Sequence, residues 1–230
     1  MLQVKDLNIG YEQKQILSDL NFSIGKGELI GLVGSNGIGK STLLKTIIGS
    51  LKPLSGEINL DGKSLQSISQ QELSKLISIV LTDKLGGFNL TVFDIVAAGR
   101  IPYLNAFGQL NNSDIEIVNK SLETIGIKNL SKNYFDELSD GQKQKVLIAK
   151  SLAQQTPVIL MDEPTAFLDF ESRQQLFALL KQLTRTENKT VIVSSHDLDV
   201  LFRNVDRALY LKGDKAYYFD KPDKISSFFV

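Results

Sequence analysis

Residues 34–42, GSNGIGKST, fit the pattern G-x-x-x-x-G-K-[ST]. Gly34, Gly37 and Gly39 let the main chain turn tightly enough for its N–H groups to converge on phosphate oxygens, and the positive end of a following helix adds to the attraction. Lys40 brings a point charge to terminal phosphates, and the Ser41 hydroxyl is a candidate ligand for Mg2+. The candidate phosphate loop is thus Gly34, Ser35, Asn36, Gly37, Ile38, Gly39, Lys40, Ser41 and Thr42. The competing reading is a glycine-rich turn with a solvated lysine. A second stretch, VILMDEP at 158–164, ends an apolar run in two carboxylates. In a strand parallel to the one before the loop, Asp162 reaches the same sheet edge to hold Mg2+, and Glu163 can orient or deprotonate a water. Without the loop, such a pair would only end a strand.

These residues need a strand before the loop and a helix after it. ELIGLVG at 28–34 is a continuous apolar run, and STLLKTIIG at 41–49 follows with helical spacing. Further along, PVILMDEP and TVIVSSHD read as buried strands, with the helix SRQQLFALLKQLTRT between them. Strands alternating with helices imply a parallel sheet covered on both faces. Residues 2–9 and 15–24 instead alternate apolar and polar, and INLDGKSL carries an Asp61-Gly62 turn, so this region reads as antiparallel strands. From about 86 to 135 strand signals fade, and IVNKSLETIGI spaces Ile117, Val118, Leu122 and Ile125 as in a helix. A further buried helix is expected after DGQ. The tail ALYLKGDKAYYFD reads as a hairpin around Gly213-Asp214. The stretch VLTDKLGGFNLTVFDIVAAGRIPY, 80–103, starts as a strand and breaks at Gly86-Gly87. It then reads as an amphipathic helix, capped by Thr91 with Asp94 three residues on and stopped by Pro102.

Bulk composition narrows the partners. The 230 residues hold 26 Lys plus Arg and 26 Asp plus Glu, so nothing points to a nucleic-acid backbone and an anion site has to be built locally. No Cys is present, which excludes disulfide and thiolate-metal designs. The first residues lack the apolar run of a signal peptide, and no run approaches the roughly 18 apolar residues that span a bilayer. A membrane role is expected only through a partner.

With LSDGQ at 138–142 in view, the chain resembles the ATPase subunits of ABC transporters over nearly its whole length. LSDGQ is similar to that family's LSGGQ signature, and phosphate loop, signature, Asp162-Glu163 and His196 stand in the family's order. The resemblance implies an α/β P-loop NTPase core with a mixed, mainly parallel sheet, an N-terminal antiparallel β subdomain and a helical subdomain. It also implies one ABC ATPase domain over 1–230, with about 86–135 as the helical insertion. ATP and Mg2+ follow as ligands. Leu138, Ser139, Asp140, Gly141 and Gln142 would face the ATP of the opposite subunit, implying a homodimer; alone, LSDGQ is an N-cap and a turn. Tyr11 matches the aromatic that stacks on adenine, His196 the residue that contacts the γ-phosphate and positions the catalytic water, and Asp169 in AFLD the acid of the loop linking the two sites. Phe167 stands where the family has a small residue.

VFDIVAAGRIPY is similar to a stretch in importers of iron-siderophore, heme or cobalamin. On that resemblance the chain is an ATP-hydrolysing subunit powering import through a separate permease, on which a solute-binding protein acts. It would sit peripherally on the cytoplasmic side of the membrane. The alternative is a soluble ABC-type ATPase with an assembly or scaffold role. Val92, Phe93, Ile95 and Val96 exceed one helical face, and either line a groove for a permease helix or pack the helical region. The family's glutamine after the strand SIV falls on Thr82. Either Thr82 or neighbouring Asp83 supplies the metal contact in its place, or that contact is lost and Glu163 and His196 suffice.

Overall fold

The structure, a computed structural model, describes residues 1–12, 14–81, 89–105, 107–213 and 216–229. In chain order, β1 (Leu2–Tyr11), β2 (Lys14–Ile24) and β3 (Leu29–Gly34) lead into α1 (Lys40–Ile47). Then come β4 (Ser55–Leu60), β5 (Lys63–Ser64), α2 (Gln70–Leu76) and β6 (Ile77–Val80). Three helices follow, α3 (Val92–Ala97), α4 (Asn112–Ile125) and α5 (Asp140–Ala153). The chain closes with β7 (Val158–Met161), α6 (Phe170–Thr186), β8 (Thr190–Ser194), α7 (Leu198–Phe202), β9 (Arg207–Gly213), β10 (Ala216–Asp220) and α8 (Pro222–Ser226).

Two sheets result. The alternating strands form the antiparallel order β2-β1-β4-β5, and the apolar runs form β10-β9-β3-β8-β7-β6, parallel throughout except for β10. Strand periodicity explains why an inner strand such as β7 (VILM) is apolar at every position. Val158 and Leu160 of β7 face a core shared with the antiparallel sheet and α1, while Ile159 and Met161 face a second core against α6 and α7. In β8, Ile192 joins the first core and Val191 and Val193 the second. A third core is built by α3, α4 and α5 from side chains such as Val92, Val96, Val118, Leu122 and Val146, with Phe135 added from the segment between α4 and α5.

The tail hairpin forms between β9 and β10. Its expected turn residue Asp214 lies outside the described residues, as do Thr82, Asp83 and the Gly86-Gly87 pair.

One expectation needs correction. The helix after Thr91 starts as expected, with Thr91 Oγ1 accepting the Asp94 N–H and Asp94 Oδ2 accepting the Thr91 N–H. Pro102 does not stop it. The α-helix ends at Ala97, and a tighter 3₁₀ segment, Ala98–Tyr103, carries Pro102 inside it. Gly99 permits close packing here: a Cβ would lie 2.4 Å from the Lys150 carbonyl oxygen, so only a glycine lets the segment press onto α5. For the apolar surplus of the same helix, the structure shows the packing alternative. Val92, Ile95 and Val96 are buried in the third core and Phe93 packs against it.

Candidate functional site

Parallel β3, β8 and β7 lie side by side, so their C-terminal ends deliver the phosphate loop, Ser194–His196 and Asp162-Glu163 to one sheet edge. Gly39 caps α1 with φ 116°, and its missing Cβ would lie 2.8 Å from Ile16 Cγ2 of β2. Both the backbone and the neighbour therefore require glycine. Gly37 also has positive φ, 76°, whereas nothing lies within 4 Å of where its Cβ would be. Ser35, Asn36 and Gly37 are exposed, and Thr42 is buried one turn into the helix.

Lys40 is buried, with Nζ donating to the carbonyls of Gly34 at 2.7 Å and Ser35 at 3.2 Å. Burial pushes its pKa down from the ordinary lysine value, and the nearby carboxylates of Glu163 and Asp162 push it back up. The lysine is thus tethered to the loop it serves.

Ser41 Oγ donates to Asp162 Oδ2 at 2.5 Å, joining loop and carboxylate. A hydroxyl and a carboxylate converging in this way form an all-oxygen donor set, which suits a hard cation such as Mg2+. Among the described residues no three His, Cys, Asp or Glu side chains cluster as a metal site, so these two groups would leave most of the coordination to phosphate and water.

Glu163 follows with φ 50°, a left-handed conformation uncommon outside glycine. Its N–H donates to Ser194 Oγ at 2.8 Å, while that hydroxyl donates to Asp162 Oδ1 at 2.7 Å. Ser194, fully buried, therefore fixes both acids, a role that sequence reasoning missed. The available signal was a serine ending an apolar strand two residues before His196. Glu163 Oε1 stands 2.6 Å from His196 Nε2, and the histidine is 48% exposed, open to a ligand approaching the edge.

The remaining candidates lie around this edge or apart from it. Tyr11 is at the tip of the β1–β2 hairpin whose Ile16 touches the loop, and it is exposed. Ser139 caps α5 by accepting the Gln142 N–H, with the Gln142 side chain accepting the Ser139 N–H in return. Leu138 is buried, and Ser139 and Asp140 are exposed. Among the described residues this segment makes no hydrogen bond or ion pair with the phosphate loop, Asp162, Glu163 or His196. It touches the next loop instead: a Cβ on Gly141 would lie 2.9 Å from the Phe167 carbonyl oxygen. Phe167 is 46% exposed and Leu168 fills the core in its stead, which is how the loop takes a bulky residue there. Asp169 caps α6 by accepting the Ser172 N–H at 2.7 Å, and this bond holds its carboxyl below the usual carboxylate range.

A glycine loop holding a tethered lysine, a serine joined to an aspartate and a glutamate set against a histidine thus meet at one sheet edge. The sequence profile of the family described as ABC transporter matches residues 17–166. The chain belongs to the ABC transporter family. This ABC subunit is 35% identical to the petrobactin import ATP-binding protein FpuD of Bacillus anthracis, over 97% of this chain and 82% of that one. It is 37% identical to the iron(3+)-hydroxamate import ATP-binding protein FhuC of Bacillus subtilis, over 86% of this chain and 74% of that one. Among solved structures it resembles the dimeric ATP-binding cassette MJ0796 in a post-hydrolysis state bound to ADP and Pi. That match has a TM-score of 0.83 and 27% identity, covering 96% of this chain and 99% of the other.

Proposed function

We propose that this ABC subunit hydrolyses ATP as a homodimer and powers import of an iron-chelate, heme or cobalamin type substrate through a separate membrane permease, on which a solute-binding protein acts. The observation that carries the hydrolytic part is the Glu163–His196 contact at 2.6 Å beside the Ser41–Asp162 pair. The iron-chelate class is supported by the similarity to FpuD and FhuC, ATP-binding proteins of petrobactin and iron(3+)-hydroxamate import. No helix among the described residues is long and apolar enough to cross a membrane. The subunit sits peripherally on the cytoplasmic side, held by its permease, a placement supported by its likeness to import ATP-binding proteins.

In this reading the loop N–H groups and Lys40 bind the phosphates. Mg2+, held by Ser41 and Asp162, would offset charge on them. Glu163 accepts the proton of a water whose oxygen attacks the terminal phosphorus, while ADP departs with the bond's electron pair. His196, 2.6 Å from Glu163, orients that water and contacts the terminal phosphate. Tyr11 stacks on adenine, Asp169 links the two sites, and residues 138–142 of each subunit close on the other's ATP.

Two experiments test this. Glu163→Gln keeps the reach and removes the base, so turnover should fall by orders of magnitude while ATP is retained; unchanged turnover removes Glu163 from this role. Tagged protein solubilised from native membranes should bring down a multi-span partner, and its absence would sink the transport reading.

A further inference from the structure

Arg100 and Asp114 form a buried ion pair, 5% and 3% exposed, far along the chain from the phosphate loop. Arg100 Nε meets Asp114 Oδ1 at 2.9 Å, and Nη1 donates to the Ala153 carbonyl at 2.9 Å and to Gln155 Oε1 at 3.0 Å. The guanidinium lies 4.1 Å from the Tyr103 ring centroid, and Tyr103 donates its hydroxyl to the Gln154 carbonyl at 2.8 Å. Asp114 Oδ2 also accepts the Asn111 N–H that opens α4. Gln154 in turn donates to the carbonyls of Ser74 and Ile77, where α2 passes into β6.

The last carbonyls of a helix have no partner within it. Here two of them at the end of α5 are taken by Arg100 and Tyr103, and Gly99 seats the same segment on the Lys150 carbonyl. A buried ion pair adds little stability over an apolar replacement, but its fixed geometry can specify one arrangement of the elements it joins. The planar fork of Arg suits that task as Lys does not. The helix so held is α5, and its opposite end, about 20 Å away, begins at Ser139.

We propose that Arg100 is a positioning residue: by clamping the C-terminal end of α5 to the start of α4, it sets where the N-terminal end of α5 presents Ser139 and Gly141 to the nucleotide of the second subunit. This rests on the two-subunit reading above.

The test uses the full chain carrying Glu163→Gln as parent, with Arg100→Lys or Tyr103→Phe added. Binding of Mg-ATP to the monomer is measured by calorimetry and ATP-driven dimerisation by sedimentation, with thermal midpoints recorded alongside. Arg100→Lys keeps a charge against Asp114 and should fold. It should leave monomer affinity within about twofold while weakening dimerisation about tenfold, and Tyr103→Phe should do the same to a smaller degree, about threefold. Variants that dimerise as the parent does would overturn the clamp, as would a monomer affinity falling in step with dimerisation. A parent that fails to dimerise with Mg-ATP would refute the two-subunit reading, and the proposal with it.

Discussion

Ser194→Ala removes one oxygen that serves both acids of the site. Its hydroxyl donates to Asp162 Oδ1 at 2.7 Å and accepts the Glu163 N–H at 2.8 Å, in a fully buried position. A hydrogen bond to a charged group contributes about 1.5–3 kcal/mol, and a buried N–H left without an acceptor costs about 1–3 kcal/mol. Because the two bonds share one atom and relax together, the expected loss is about 3 kcal/mol rather than the sum of the upper values. For a chain of this size that lowers the thermal midpoint by about 6–12 °C. Turnover should fall further than stability implies. The Ser194 bond helps hold Glu163 at φ 50°, and without it the carboxylate shifts away from His196. Misplacing a catalytic group by about 1 Å costs about 10²-fold. Calorimetry and Mg2+-dependent ATPase on one preparation measure both effects. Ser195→Ala is the control, since that hydroxyl accepts the Asp197 N–H and touches Thr165 without reaching either acid. A Ser194→Ala protein within about 2 °C of the wild type and within about twofold in rate would refute the reasoning.

Two other expectations concern the edges of the site. Gly39→Ala places a methyl 2.8 Å from Ile16 Cγ2 at φ 116°, so it should abolish binding of a fluorescent ATP analogue, whereas Gly37→Ala, with open space around it, should retain partial binding. The Asp169 carboxyl is held below the usual range by its bond from Ser172, so its folded pKa is lower than its unfolded one. Its contribution is therefore full above about pH 4 and fades as pH falls through the depressed value. Urea unfolding should show Asp169→Asn less stable than the wild type at neutral pH, with the gap closing under acid; a constant gap would contradict this.

The inner strands were legible because being buried on both faces demands unbroken apolar runs, as in VILM and TVIV. The phosphate loop and Asp162-Glu163 were legible because each needs particular residue types at fixed spacing beside a strand. What escaped notice depends on contacts between distant segments. Ser194 looks like any serine at the end of a strand until β8 is set beside β7. Pro102 reads as a stop because local rules cannot see the close packing onto α5 that Gly99 permits, with the segment continuing as a tighter helix. For the apolar excess of Val92, Ile95 and Val96, groove and core stay equal alternatives until α4 and α5, which bury these side chains, are set beside them. The short helices α2, α7 and α8 carry too few apolar positions for a period to register.

The left-handed turn at Glu163 makes this position a conflict between folding and function. A non-glycine residue in such a conformation costs about 1–3 kcal/mol. Glycine would adopt the same backbone freely, and asparagine more readily than glutamate. Selection for stability alone would therefore drift toward residues with no carboxylate or too short a reach. A glutamate standing there marks a place where the chain has kept a less comfortable backbone to hold an oxygen beside His196, so stability-guided redesign of this subunit should leave residue 163 untouched.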